Sequence, residues 1–483
     1  MSDAVDLPLV LPISPADPAG LFACVQGGQG AFLLQSGAPR AGGLSARARY
    51  SYLGVEPFAW AEAAGATTTL NGGLRPEGPF ALLQGERKRF AAPCRPGLPP
   101  FQGGAVGFLG YELGGLLETL PPPRPRGLAL PDLAFGFYDA IVAIDHWLDA
   151  AWIISSGLPE TEPRRRRRRA QARAEQLALR LACGLDFPVD PGGSLLDDAG
   201  WHGELGRERH TESVRRALEY IRAGDIYQVN VTQRFLGRLR PDTPAWTVWQ
   251  RISGAAAPFS AFLDLGGGRA IASASPERFL SLDAAGHVET RPIKGTRPRG
   301  ATVEQDARLR WELAASAKDR AENLMIVDLL RNDLSRVALP GSVRVPSLCE
   351  VESFSTVHHL VSSIQAQLAP GRDAIDLLRA SFPGGSVTGA PKIRAMEIIH
   401  ELEPARRGPY CGAIAWLGWD GAMDSSIVIR TVAMAGGDVA VQAGGGIVAD
   451  SDPEAEYEET LVKARPLLTA LCPDMNWPPA DAD

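Results

Sequence analysis

Short apolar runs broken by glycine and proline, rather than repeated strand–turn–helix units, govern what this chain can fold into. Up to about Ala150 they recur as in Ala31-Phe32-Leu33-Leu34-Gln35-Ser36-Gly37 and Gly103-Gly104-Ala105-Val106-Gly107-Phe108-Leu109-Gly110-Tyr111, a spacing of strands and tight turns. From about His210 the texture changes. Helices are predicted over Glu212–Ala223, Glu304–Leu334 and Asp373–Arg379, and extended chain over Asp225–Phe235, Ala270–Ser275, Gly412–Leu417, Ser426–Ala433 and Val439–Val448. A doubly wound fold needs β-turn-α units in series, and few are present, so the mixture predicts an α+β class with large, mostly antiparallel sheets.

Three stretches follow: a sheet-rich region over 1–155, an exposed Arg-rich helix and linker over 156–204, and a mixed region over 205–470. The middle stretch carries six successive arginines, Arg164 to Arg169, then leucines at helical spacing up to Cys183. A solvated helix face is the plain reading; an RNA or phosphate patch is the alternative. With 49 basic and 56 acidic side chains in 483 residues, a net charge of -7, the chain as a whole lacks the basic surface that nucleic acid demands.

The six cysteines (Cys24, Cys94, Cys183, Cys349, Cys411, Cys472) form no Cys-x-x-Cys pair. That argues against a disulfide framework or a zinc site and fits a reducing compartment. Acids at Asp3 and Asp6 stand where a secretory signal needs bases, and no apolar run approaches the roughly 18 residues that span a bilayer. The expectation is a cytoplasmic protein without a membrane anchor.

Three constellations can carry chemistry. On a helix containing Lys318-Asp319-Arg320-Ala321-Glu322-Asn323, Asp319 and Glu322 share a face. In Ser451-Asp452-Pro453-Glu454-Ala455-Glu456-Tyr457-Glu458-Glu459, Asp452 caps a helix that Pro453 opens, with Glu456, Glu459 and Lys463 on one side. Converging carboxylates of this kind would hold a hard divalent cation; complementation of the helix dipole is the alternative. The third is Arg291-Pro292-Ile293-Lys294-Gly295-Thr296-Arg297, preceded by Ser275-Pro276-Glu277. A lysine among arginines can have a lowered pKa and act as a nucleophile, or be one more surface base. Between them, Phe382-Pro383-Gly384-Gly385-Ser386-Val387-Thr388-Gly389-Ala390-Pro391-Lys392 has the content of a phosphate loop but not the Gly-Lys-Ser/Thr order, which rejects a Walker loop. Its amides and hydroxyls, like those of Gln442-Ala443-Gly444-Gly445-Gly446, suit a carboxylate cradle or a bare turn.

Taken together, these segments resemble the chorismate-utilising enzymes, the group of anthranilate, aminodeoxychorismate and isochorismate synthases. The resemblance runs from about His210 to Leu468, and Leu33-Leu34-Gln35-Ser36, Arg49-Tyr50-Ser51-Tyr52-Leu53-Gly54 and Pro131-Asp132-Leu133-Ala134-Phe135-Gly136 resemble the family's amino-terminal half. It implies a two-sheet antiparallel β sandwich flanked by helices, with the active site in the central cleft and chorismate binding in the 205–470 region. Lys294 in Pro-Ile-Lys-Gly-Thr resembles the aminodeoxychorismate synthase component I branch, where anthranilate synthases generally carry alanine. A lysine amine attacking C2 would expel the C4 hydroxyl through the diene, and ammonia entering C4 would then expel the lysine. Gln228 stands where the isochorismate branch places a lysine base; glutamine cannot deprotonate water.

Residue by residue, the resemblance implies that Glu277 is the general acid and His359 an active-site histidine. Glu322 and Glu459 would be direct Mg2+ ligands, with Asp319 and Glu456 bound through water. Asp319 is shorter than the glutamate of some relatives. Tyr410 and Arg430 would bind the enolpyruvyl carboxylate, and Ser386, Thr388, Gly444, Gly446 and Lys463 would form the substrate-carboxylate cradle. Ser36, Pro258, Phe259 and Ser260 resemble the family's tryptophan pocket, which would hold a regulatory or merely structural tryptophan.

No segment supplies the Cys, His and Glu of a glutamine amidotransferase, so ammonia is expected from a separate amidotransferase subunit or from solution. Only about 15 residues follow Leu468, so a separate lyase is expected to complete 4-aminobenzoate for folate synthesis. An anthranilate synthase component I and a catalytically silent tryptophan-binding subunit are the alternatives.

Overall fold

The computed structural model describes residues 7–36, 49–183, 190, 192–253, 257–354, 357–475, 478 and 480–481. Among these, strands form one 13-stranded and one 12-stranded sheet, flanked by helices and closed into no barrel. Pairing is antiparallel except for the short contact of His202–Gly203 with Ala480–Asp481. This is the α+β class with large antiparallel sheets that the punctuated apolar runs predict, in the two-sheet form that the family resemblance implies.

Both sheets draw on chain from either side of the Arg-rich segment. In the first, Phe32–Gln35 pairs with Phe259–Gly266, joining the early strands to the order Arg269–Ser275, Thr431–Ala435, Asp438–Ile447, Gln228–Arg238. In the second, Gly104–Leu109 pairs with Ala413–Gly418. Between the sheets lies an apolar layer containing Phe32, Phe101, Phe108, Tyr138, Ile271, Ile414 and Val428. Strands such as Leu133–Tyr138 are buried on both faces, which explains why their sequence is continuously apolar where a half-exposed strand would alternate.

Helices Pro18–Val25, Ala245–Ile252 and Pro453–Leu471 pack on one side of the first sheet and Lys392–Leu402 on its strand Gln228–Arg238, while Ala317–Ser335 packs against the second sheet and carries Ala374–Ser381 on it. The arginine run opens helix Pro163–Cys183, which is seated by the buried Ala170, Ala174 and Leu177. Its arginines divide by helical phase. Arg169 and Arg173 pair with the buried Asp139 at 2.8 and 3.3 Å, Arg166 donates to the Ser156 carbonyl at 2.8 Å, and Arg164, Arg165, Arg167 and Arg168 are exposed.

Two sequence expectations are corrected. The helix expected over Glu304–Leu334 is two, Val303–Ala315 and Ala317–Ser335, broken at Ser316, whose extended backbone lets its hydroxyl cap the second helix at the Asp319 amide. The strand expected over Ser426–Ala433 is also two: Met423–Ile427 in the second sheet and Thr431–Ala435 in the first. The chain crosses between sheets there, and this crossing builds the cleft.

The five described cysteine side chains are free; that of Cys183 lies outside the described set. Among the described residues, no helix is long and apolar enough to cross a membrane.

Candidate active site

Two crossings meet at the junction of the sheets. One is Pro276-Glu277, between Arg269–Ser275 in the first sheet and Arg278–Leu282 in the second; the other is Val428-Ile429-Arg430. They hydrogen-bond to each other: the Ile427 amide donates to the Glu277 carbonyl at 3.1 Å and the Ala274 amide to the Arg430 carbonyl at 3.0 Å. Arg430 has a positive φ of 53°, an uncommon conformation for a side-chain-bearing residue, held here by the crossing.

Glu277 is 6% exposed. Burial pushes its carboxyl up to about 7, against the opposing pull of a hydrogen bond from Ser386 and the charge of Lys294. Lys294 lies on Ile293–Pro298, whose register against Val357–Gln367 shifts between Ile293 and Thr296, with Gly295 at φ 80°. This bulge re-aims the side chain into the cleft. There the ammonium donates to the Ser386 carbonyl at 3.4 Å, and burial lowers its pKa despite the nearby charges of Glu322 and Glu277.

Gln228 opens the strand Gln228–Arg238 and is fully buried. Neither end of its amide has a hydrogen-bond partner among the described residues. A methyl group placed on Gly446 would lie 2.5 Å from Gln228 Nε2 and 3.5 Å from Lys294 Nζ, so glycine at this position leaves room where the two side chains converge. A buried, unpartnered amide is costly and marks a position for a polar ligand.

His359 faces the same cleft, its Nδ1 2.9 Å from the Thr296 hydroxyl. Burial, aided by the charge of Arg430, pushes it down to about 4, so it is neutral at physiological pH. Arg430 donates to the Lys463 carbonyl at 2.7 Å; Tyr410 is buried beside it, and burial holds its phenol neutral. Lys463 donates to the Gly444 carbonyl at 2.9 Å and pairs with Glu459 at 2.6 Å. The Thr388 hydroxyl turns back to the Gly384 carbonyl at 3.0 Å and shapes the loop from within.

Of the acids, Glu456 and Glu459 both approach Gly445, where a methyl group would lie 2.6 Å from Glu456 Oε2 and 3.8 Å from Glu459 Oε1. Glu322 faces them across the cleft, raised by burial and, among nearby charges, by Glu456; Glu456 is likewise raised by burial and by Glu459. Asp319 is turned aside, 3.2 Å from Arg297 and against Gly295. Among the described residues, no three acids, histidines or cysteines stand close enough together to hold a metal as they are. Glu459, by contrast, is lowered by its pairing with Lys463; the donor set is nevertheless all oxygen, which suits a hard cation whose remaining ligands come from substrate and water.

Sequence reasoning passed over Lys392. Its ammonium pairs with the buried Asp333 at 2.6 Å and donates to the Ser381 carbonyl at 2.9 Å, fastening the 381–392 loop to helix Ala317–Ser335. The signal was the lysine closing the rejected phosphate-loop pattern. A separate cavity of about 510 Å3 is lined by Ser36, Pro258, Phe259 and Ser260 together with Tyr50 and Trp416.

Glu277, Lys294, Glu322 and Arg430 thus line one cleft at the junction of the two sheets. The chain belongs to the chorismate binding enzyme family, whose profile matches residues 45–469. Over 373 residues it is 48% identical to aminodeoxychorismate synthase component 1 of Salmonella typhimurium, covering 77% of each chain. It is 43% identical over 466 residues to anthranilate synthase component 1 of Streptomyces coelicolor, covering 94% of this chain and 86% of that one. The crystal structure of anthranilate synthase component I from Streptococcus pneumoniae superposes with a TM-score of 0.76 at 31% identity, over 89% of this chain and 94% of the other. The chain is a chorismate-utilising enzyme of the transferase type.

Proposed function

We propose that the chain is an aminodeoxychorismate synthase component I, converting chorismate and ammonia to 4-amino-4-deoxychorismate. The observation that carries this is the convergence of Lys294 and Gln228 over Gly446, beside Glu277. Lys294, half-buried and lowered in pKa, attacks C2 as a neutral amine. Glu277, raised to about 7, protonates the departing C4 hydroxyl as the double bonds shift. Ammonia then adds at C4, the double bonds shift back, and the lysine amine leaves C2. Gln228 supplies hydrogen bonds but no base, which disfavours water as the nucleophile.

Arg430 and Tyr410 bind the enolpyruvyl carboxylate, and the 384–388 loop, Gly444, Gly446 and Lys463 the ring carboxylate. Glu322, Glu456 and Glu459 would hold Mg2+, with Asp319 reaching it only after leaving Arg297; when bound, the ion screens the ring carboxylate. Region 205–470 carries this chemistry, and region 1–155 contributes Ser36 to the tryptophan cavity. Ammonia comes from a glutamine amidotransferase subunit, and the setting is the cytoplasm.

The second reading, anthranilate synthase component I, is favoured by the long alignment with the Streptomyces protein. One incubation separates them: purified protein, chorismate, Mg2+ and excess ammonium at mildly alkaline pH, with aminodeoxychorismate lyase in half the samples. 4-Aminobenzoate formed only with the lyase supports C4 amination. Anthranilate formed without it overturns the role given to Lys294, and no turnover at all points to a silent regulatory subunit.

A further inference from the structure

Arg407 is 3% exposed, yet every arm of its guanidinium is occupied. Nε and Nη2 donate to the Glu403 carboxylate at 2.8 and 2.6 Å. Nη1 donates to the Val387 carbonyl at 3.0 Å, and Nη2 also to the Asn230 carbonyl at 2.9 Å. The rings of Tyr111 and Tyr410 lie 4.8 and 5.9 Å from the guanidinium carbon. Glu403 in turn accepts from the Thr232 hydroxyl at 2.8 Å.

These partners belong to three separate parts of the cleft. Val387 lies between Ser386 and Thr388 in the cradle loop. Asn230 lies two residues beyond Gln228, opposite Gly446 in the strand register. Tyr410 is itself a proposed substrate ligand. One planar fork therefore spans the loop, the Gln228 strand and an aromatic wall. A buried ion pair adds little stability over apolar residues of the same volume, so stability does not account for this arrangement. A rigid, bidentate fork does fix the relative positions of the groups it joins.

We propose that the buried Arg407–Glu403 pair is a positioning device for chorismate: it sets the 385–388 loop over the Gln228 strand and the tilt of the Tyr410 ring, so that the carboxylate-binding pocket is formed before substrate arrives. Arg407 touches no reacting atom; it acts through the groups it holds. The inference rests on the chorismate reading of the cleft.

Arg407→Lys keeps the charge beside Glu403, but one ammonium cannot reach all the acceptors; Glu403→Gln keeps an acceptor for Thr232 and removes the charge. Chorismate and ammonium are varied separately in steady-state assays, with thermal melting measured in parallel. In both variants the KM for chorismate rises about tenfold while the KM for ammonium stays at the wild-type value. A folded variant with wild-type KM for chorismate, or one losing only kcat in proportion to its unfolded fraction, overturns the proposal. Should Arg407→Lys fail to fold, Tyr111→Leu removes the ring over the guanidinium, and its hydroxyl has no hydrogen-bond partner among the described residues. It is expected to raise the KM for chorismate about threefold through the loosened fork, and an unchanged KM overturns the proposal. Wild-type protein that turns over no chorismate would instead refute the functional reading.

Discussion

The ammonium of Lys294 donates to the backbone carbonyl of Ser386 at 3.4 Å, while the side chain of Ser386 holds Glu277. A single serine thus bridges the proposed nucleophile and the proposed acid. One long hydrogen bond compensates a half-buried ammonium poorly, and desolvation lowers its pKa against the opposing charges of Glu322 and Glu277, which favours the neutral amine. Lys294→Ala should therefore abolish C4 amination while leaving chorismate binding within about threefold of wild type, because it removes a nucleophile and no carboxylate anchor. Product chromatography and a binding titration check this; wild-type-like amination by the variant would sink the covalent route.

The pH profile of kcat should be bell-shaped. Glu277 must be protonated to act as an acid, so the rate falls as pH rises through about 7, the value to which burial pushes it. Lys294 must be neutral, so the rate also falls towards acid. Glu277→Gln should lower kcat by about 10²–10⁴ and remove the alkaline limb. A variant that keeps that limb would assign it to another group.

Chelation should stop turnover, and added Mg2+ should restore it. Glu459→Ala should weaken Mg2+ binding by at least about tenfold, read by calorimetry in the presence of chorismate rather than from activity alone. Unchanged Mg2+ affinity would remove Glu459 from the ligand set.

The 510 Å3 cavity behind Ser36 and Phe259 should hold tryptophan. Mass spectrometry of freshly purified, denatured protein should detect it in near-stoichiometric amount, and its absence would count against occupancy.

His210 is 1% exposed, with neither ring nitrogen hydrogen-bonded among the described residues, and burial pushes it down to about 4. In the unfolded chain it protonates near pH 6.5. Stability should therefore fall as pH drops from about 6.5 towards 4, by up to about 3 kcal/mol from this group. Urea denaturation at several pH values should show a flatter dependence for His210→Phe, and an equal slope in both proteins would exclude His210 as its source.

Much of the candidate site was legible because its chemistry lies in short motifs. The Lys294 segment, the acidic helix after Asp452 and the glycine turn at 444–446 each announce themselves locally. Arg407 did not: its pairing with Glu403 four residues earlier looks like any helical surface pair, and the partners that make it special, Val387 and Asn230, lie 20 and 177 positions away. The break at Ser316 was also missed, since apolar periodicity continues through it and neither proline nor glycine marks it; a serine three residues before Asp319 was the available sign.

The sequence by itself determined an α+β class with large antiparallel sheets and carboxylates on two helix faces, through local periodicity and residue chemistry, while the two-sheet form and the lysine in place of alanine came from the family resemblance. Only the tertiary structure decided where the chain crosses from one sheet to the other. Those crossings bring the backbones of the Glu277 and Arg430 segments side by side, and a bulge aims Lys294 at Gln228 over a glycine. The folded chain also pairs Asp319 with Arg297 and turns the Thr388 hydroxyl back onto the Gly384 carbonyl of its own loop. The physical reason is that a side chain's direction in a sheet depends on register, bulge and crossing point, which are settled by contacts between segments hundreds of residues apart.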